Sequence, residues 1–444
     1  MMRSSATTSR TRLAVQVGLR ATSIGAQALV MLGVGLVAPK AAFGEFVVIT
    51  AAAGIGATLC AGGSAHGALR LAHLLKLSNR WAGPTCRMLL LSAVRRSALA
   101  SMLTALLLAF SPGLSTACIA AGAVMAMALG LSMSSQGLVV ASGRALASQS
   151  IDLLVRIPML IIVLVALWRY DFISGPAVAI AASGASFAQA GALISTLPIR
   201  SGSSERLPAR AGVLVSRFVN GASMNATLFA VFSSADIYVG SLLMPPTSIA
   251  PMGIAARVGG ATGMLHGAIF DHQASSMATA LRRRDTDPLR KLVGSNRRES
   301  TLATIVIAIA TSTAIALSWP HLPPTFREAS WPLAILLAAR LVTGIVGPMP
   351  ALLTLGGGQH VLARITLIAA FVVCVGAAVL GAEFGANGLA LASACGLATY
   401  SILALVAVRR MPQAGASARY PDANATFERS AVRSAATGPE PGGG

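Results

Sequence analysis

Three arginines, Arg20, Arg257 and Arg340, stand inside long runs of Ala, Leu, Val, Ile and Gly. If those runs cross a bilayer, each guanidinium costs about 2.5–3.5 kcal/mol at a helix centre, so an arginine kept there is a functional candidate. Its planar fork matches phosphate bidentately and stays charged at any accessible pH. Gln16, Arg20, Ser23 and Gln27 recur at i, i+4, i+7 and i+11, which places them along one helix face. A polar stripe on an apolar helix must face protein or a water-filled cavity, since lipid cannot satisfy it. Asn220, Ser223, Thr227 and Ser234 make a second stripe, and Arg340 is followed one turn on by Thr343. The expected passenger-binding residues are therefore Gln16, Arg20, Ser23, Gln27, Asn220, Thr227, Arg257 and Arg340. The competing account is structural: helix–helix glue by hydroxyls and amides, and snorkelling for Arg20.

Other chemistry is missing. Gly356-Gly357-Gly358-Gln359-His360 lacks the Lys and Ser/Thr of a nucleotide-binding loop and reads as a tight turn. The six histidines form no metal-binding pattern and mostly fall at the edges of the apolar runs. Cys60, Cys86, Cys118, Cys374 and Cys395 are scattered with no C-x-x-C pair, and read as small buried hydrophobes. No cofactor or metal is expected. Asp152, Asp171, Asp271 and Glu383 are expected at span edges and Asp236 towards the outer end of its span, leaving the interiors nearly free of carboxylates. A cationic cavity of that kind suits an anionic passenger better than a cationic drug.

The elements that must carry these residues are membrane spans. The chain has 444 residues, 55% apolar and only 11% charged, where a soluble chain has roughly 25% charged residues. Its mean hydropathy is +0.73. The net charge of +20 would suggest nucleic acid in a soluble protein, but here the basic residues punctuate apolar runs, and nucleic acid is set aside. Twelve spans are expected, at about residues 13–37, 45–65, 88–110, 113–133, 151–168, 174–197, 214–243, 250–270, 301–319, 331–354, 361–382 and 385–408. With the N-terminus inside, 28 of the 34 Lys and Arg fall in cytoplasmic segments or at their edges; Lys40, Arg169 and Arg327 fall outside. That bias places both termini in the cytoplasm. The first run contains Arg20 and lacks a small-residue cleavage site, so it reads as a retained helix.

Residues 198–212 hold the polar stretch Arg200-Ser201-Gly202-Ser203-Ser204-Glu205-Arg206, which splits the spans six and six. The expected architecture is all-α: an N-terminal six-helix bundle over 1–197, a cytoplasmic linker over 198–212, a C-terminal six-helix bundle over 213–409 and a disordered cytoplasmic tail over 410–444, with the halves related as parallel repeats. Gly347-Pro348-Met349-Pro350 should break span ten. Asn424-Ala425-Thr426 is a glycosylation sequon on the cytoplasmic side and is discounted.

The segment Leu36-Val37-Ala38-Pro39-Lys40-Ala41-Ala42-Phe43-Gly44-Glu45-Phe46 resembles the turn after span one of polysaccharide repeat-unit flippases, the Wzx-type branch of the multidrug/oligosaccharidyl-lipid/polysaccharide (MOP) exporter superfamily. Gly62 and Leu69-Arg70 continue the likeness, and Asp236-Ile237-Tyr238-Val239-Gly240 with Met252-Gly253-Ile254-Ala255-Ala256-Arg257-Val258 resembles that family's spans seven and eight. Ala38 stands where the family turn has Gly, one extra residue precedes Phe43, and the Arg common at the end of span one is missing. The resemblance covers about residues 12–408. It implies a flippase that carries an undecaprenyl-diphosphate-linked oligosaccharide across a bacterial inner membrane by alternating access, for exopolysaccharide or O-antigen synthesis. Its implied partners are that lipid-linked anionic oligosaccharide, the bilayer, and a polysaccharide polymerase and chain-length regulator. The alternatives are a drug/cation antiporter of the same superfamily, which carboxylates inside the spans would favour, and a membrane enzyme of glycan assembly, which a long outer loop would favour.

Overall fold

The computed structural model describes residues 18–410 except 20, 21, 24, 78, 143, 198–208, 284 and 357. Along the helices, the side chains of 62–85, 141, 145, 209–223, 271, 272, 275 and 282 also lie outside the description. Among the described residues there is no strand.

Nine helical stretches are long and apolar enough to cross a membrane, among the described residues. Helix α1 (Gly25–Val37) is a shorter apolar helix. Pro39 ends it, and α2 (Lys40–Leu77) follows. Then come α3 (Asn79–Ala109), α4 (Thr116–Ala141), α5 (Ala145–Ile151), a π-helical turn (Asp152–Arg156), α6 (Ile157–Arg169) and α7 (Gly175–Ser195). Ser115 and Ser174 cap α4 and α7, each hydroxyl accepting a first-turn N–H. The second half runs α8 (Ala209–Leu243), α9 (Pro246–Arg283), α10 (Thr286–Ser318), α11 (Pro324–Glu328), α12 (Ser330–Val346), α13 (Met349–Leu355) and α14 (Gln359–Arg410).

At 52 residues, α14 would be about 78 Å long as one rod, far beyond a bilayer. Gly385, at φ 58 and ψ −133, breaks it into two crossings. With α14 counted as two, ten crossings meet that length and hydropathy; the shorter α1 and the less apolar α9 bring the helices to the twelve expected, six on each side of the 198–208 segment. Gly347 (φ 82) and Pro348 end α12 as the sequence expects, and the residues around Gly356 turn the chain between α13 and α14.

Several spans run past their apolar stretches. Helices α2, α8, α9 and α10 run beyond the expected limits through stretches that carry basic residues, by about one turn in α8 and up to about four in α10. The fifth span also starts earlier than expected, at Leu146 rather than 151.

In the N-lobe α2 packs on α4, α3 and α7; in the C-lobe α14 packs on α8, α12 and α13. The lobes meet through α2 against α8 and α9. The described cross-lobe contacts cluster at the end of the bundle carrying the α1–α2 and α8–α9 turns, called here the closed end. Ser111 and Ser241 hydroxyls are 3.0 Å apart, Tyr238 Oη donates to the Leu107 carbonyl at 3.0 Å, and Lys40 pairs with Glu328 at 2.6 Å. A Cβ on Gly44 would overlap the Pro246 carbonyl, so glycine in the Lys40–Phe46 segment permits backbone contact between lobes. The largest apolar cluster crosses the same seam, joining Phe43, Phe46 and Val47 to Ile249, Met252 and Ile254.

Candidate functional site

The N-lobe side of the site is built around a residue the sequence placed at a span edge. Asp152 is only 4% exposed, inside the fifth span and on the π turn. A π turn widens the backbone ladder by one residue and re-aims side chains. Here Asp152 is buried and Arg156, one turn on, brings Nη1 to 3.4 Å from Asp152 Oδ1. Gln189 Nε2 of α7 donates to the same oxygen at 2.7 Å, and Ser132 Oγ of α4 donates to Gln189 Oε1 at 2.5 Å. From the first span, Ser23 Oγ and Gln27 Nε2 (2.9 Å) both donate to Asp152 Oδ2. Three helices thus meet at one carboxylate whose two oxygens are filled by protein donors, and α4 joins the network through Gln189.

The expectation of carboxylate-free interiors is therefore corrected. Asp236 of α8 is buried as well, at 5% exposure. Its Oδ2 accepts from Ser393 Oγ of α14, and its Oδ1 accepts from the Ile237 N–H at 2.8 Å. Arg340 of α12 lies within electrostatic reach of it.

Arg340 packs where α9 offers no side chain. A Cβ on Gly263 would stand 2.8 Å from Arg340 Nη1 and 2.9 Å from its Cζ. One turn along α9, His266 Nε2 lies 2.7 Å from Thr304 Oγ1 and 3.1 Å from the Ser300 carbonyl, and it too is within reach of Arg340. His266 thus lies inside the C-lobe rather than at an edge.

Arg257 differs from both. No carboxylate lies within ion-pair distance of it among the described residues. The charge it feels most comes from Arg156, on the opposite lobe.

Of the residues expected from sequence, Ser23 and Gln27 come together on Asp152, while Arg257 and Arg340 occupy separate places in the C-lobe. Thr227 is half-buried on α8. Gln16 and Arg20, and the side chains of Asn220, Ser223 and Arg70, lie outside the described residues, as do most of the 198–212 linker and the tail with Asn424. Sequence reasoning missed Asp152, Arg156, Gln189 and His266. The first two were legible as an i, i+4 pair of opposite charge, had the apolar run been started at Leu146.

Cys60, Cys86 and Cys118 are buried as expected; Cys374 is half-buried, and Cys395 is exposed, contrary to expectation. No group of His, Cys, Asp or Glu among the described residues could hold a metal ion.

No family model matches the chain, and no curated protein matches it in sequence. Its fold is shared with solved membrane transporters. The lipid II flippase MurJ in an inward closed conformation superposes with a TM-score of 0.65 at 12% identity, over 89% of this chain and 88% of that one. An inward-facing multidrug-resistance MATE family transporter of the MOP superfamily gives a TM-score of 0.60 at 13% identity, over 89% and 97%. A MOP superfamily transporter from Pyrococcus furiosus, described as having a binding pocket of reverse polarity, gives 0.55 at 13% identity, over 90% and 94%.

Proposed function

We propose that the chain is a flippase for a lipid-linked anionic oligosaccharide in a bacterial inner membrane, working by alternating access between its two lobes. The observation that carries this reading is Arg257: a cation in a span, without a neighbouring carboxylate among the described residues, facing a second cation across the lobe seam. A site with that surplus favours a phosphate-bearing head group. The likeness to a lipid II flippase supports a lipid-linked passenger, and the Pyrococcus furiosus transporter's title supports a change of pocket polarity within this fold. Arg20, Gln16 and Asn220 would complete the wall, with Thr227 and Arg340 at other depths. Both termini would face the cytoplasm, the lobes would hinge at 198–212, and a polymerase and chain-length regulator would take over the exported units.

A cation antiporter is the second reading, and the buried Asp152 and Asp236 are the observations that favour it. Both carboxylates already accept from protein groups, Asp152 from two helices besides its own, the first span and α7. That leaves them less available to a cationic drug.

The test is complementation. Cells lacking the chain should regain polysaccharide export with the wild type. Arg20→Ala and Arg257→Ala, at normal protein levels, should fail and accumulate repeat units on the cytoplasmic leaflet. Normal export by both would overturn the cationic-cavity reading. Raised drug resistance from the wild type, lost on Asp152→Asn, would assign the antiporter instead.

A further inference from the structure

At the closed end a cleft of about 390 Å3 opens across the lobe seam. Lys40 lines it from the N-lobe; Arg327, Glu328, Trp331, Phe384 and Asn387 line it from the C-lobe. Trp331 is 72% exposed and Phe384 56%. Exposed aromatic rings at a span end mark the height of the head groups, where one side of the ring is apolar and the other wet. The cleft therefore sits at the level of lipid phosphates.

Its charge is arranged for an anion. Lys40 and Arg327 bring two cations against the single carboxylate of Glu328. Lys40, Ser248, Trp331 and Asn387 also stand in the first turns of α2, α9, α12 and the second crossing of α14. The positive ends of four long helices point towards the same space. The one anion present, Glu328, holds Lys40 at 2.6 Å and so ties the lobes together. That pair is exposed, at 35% and 50% of the two side chains. An exposed pair is weak and open to exchange. Arg327 is held in place by donating to the Pro320 carbonyl at 3.1 Å and by lying 6.0 Å over the Trp319 ring.

We propose that this cleft binds the phosphate head group of an anionic lipid in the adjoining leaflet, with Lys40 and Arg327 as its ligands. The phosphate competes with Glu328 for Lys40. Binding therefore replaces a direct cross-lobe ion pair, both ends of which belong to the protein, by a contact through an exchanging lipid that also repels the freed Glu328 carboxylate, and so loosens the closed end. This holds whatever passenger the lobes carry between them.

The test uses the full chain with its five cysteines replaced by alanine. Spin labels are placed at Tyr170 and Leu317, both exposed near the closed end on opposite lobes. In phosphatidylcholine nanodiscs the short distance should dominate. Adding phosphatidylglycerol to the discs should raise the ratio of long to short distances about threefold, the scale of one exposed ion pair. Glu328→Gln should raise that ratio in phosphatidylcholine alone. Lys40→Gln combined with Arg327→Gln should show no further response to phosphatidylglycerol. Identical distributions in the two discs would overturn the proposal, as would a full lipid response in the double variant. Inorganic phosphate reproducing the shift in phosphatidylcholine discs would overturn the lipid assignment and give the site to a soluble anion.

Discussion

The guanidinium of Arg340 on α12 lies directly over the Cα of Gly263 on α9, where a Cβ would meet Nη1 at 2.8 Å and Nη2 at 3.1 Å. The space on α9 is shaped for the far end of a long side chain from another helix. A guanidinium on a flexible stem moves aside more easily than backbone does. Gly263→Ala should therefore keep stability within about 1 kcal/mol of wild type while displacing the cation. Melting curves and export measured on the same protein check this: near-normal melting with reduced export is expected. Wild-type export would show that the position of Arg340 is immaterial to transport.

Asp152 is the hub of the N-lobe network, so its loss should be felt in the fold. Asp152→Ala leaves Arg156 without its carboxylate and Ser23 and Gln189 without an acceptor, at a cost of about 3 kcal/mol or more. Asp152→Asn keeps the shape and part of the hydrogen bonding. Thermal unfolding in detergent should rank wild type above Asn and Asn above Ala. Equal melting of all three would mean the Asp152 network contributes nothing.

Gly385 stands in a region of φ/ψ space that L side chains rarely adopt, with nothing within 4 Å of a Cβ built there. Any penalty for Gly385→Ala is thus a backbone penalty, about 1–3 kcal/mol. The substitution should lower the melting temperature without a clash to relieve. Unchanged melting would place the break between the two crossings of α14 elsewhere.

The Lys/Arg asymmetry predicts that both termini face the cytoplasm. A reporter active only outside the cytoplasm, fused after Arg410, should be silent, and the same reporter inserted in the 319–329 turn should be active. The opposite pattern would reverse the orientation.

The twelve crossings were legible because each needs about 20 apolar residues, and that signal survives without any knowledge of packing. The basic extensions of α2, α8, α9 and α10 were not, since hydropathy ends where the apolar stretch ends while the helix goes on. Ser23 and Gln27 were found by their common face. Their partner was not, because Asp152 is separated from them by more than 100 residues and no periodicity links two helices. Starting the fifth span at residue 151 rather than at Leu146 left Asp152 and Arg156 at its edge. The π turn that carries them has no local sequence mark. Gly44 was noticed as part of a motif, and its reason became plain only with Pro246 of α9 against it.

The apolar cluster spanning Phe43, Phe46, Val47, Ile249, Met252 and Ile254 has a thermal consequence. Parting the lobes at that end hands its surface to water. Hydrophobic association weakens on cooling and carries a large heat capacity. The ratio of parted to joined lobes should thus follow a curve against temperature, with cold favouring separation, and the turnover rate should bend on an Arrhenius plot even if no other step does. The seam makes the protein a thermometer of its own conformational balance.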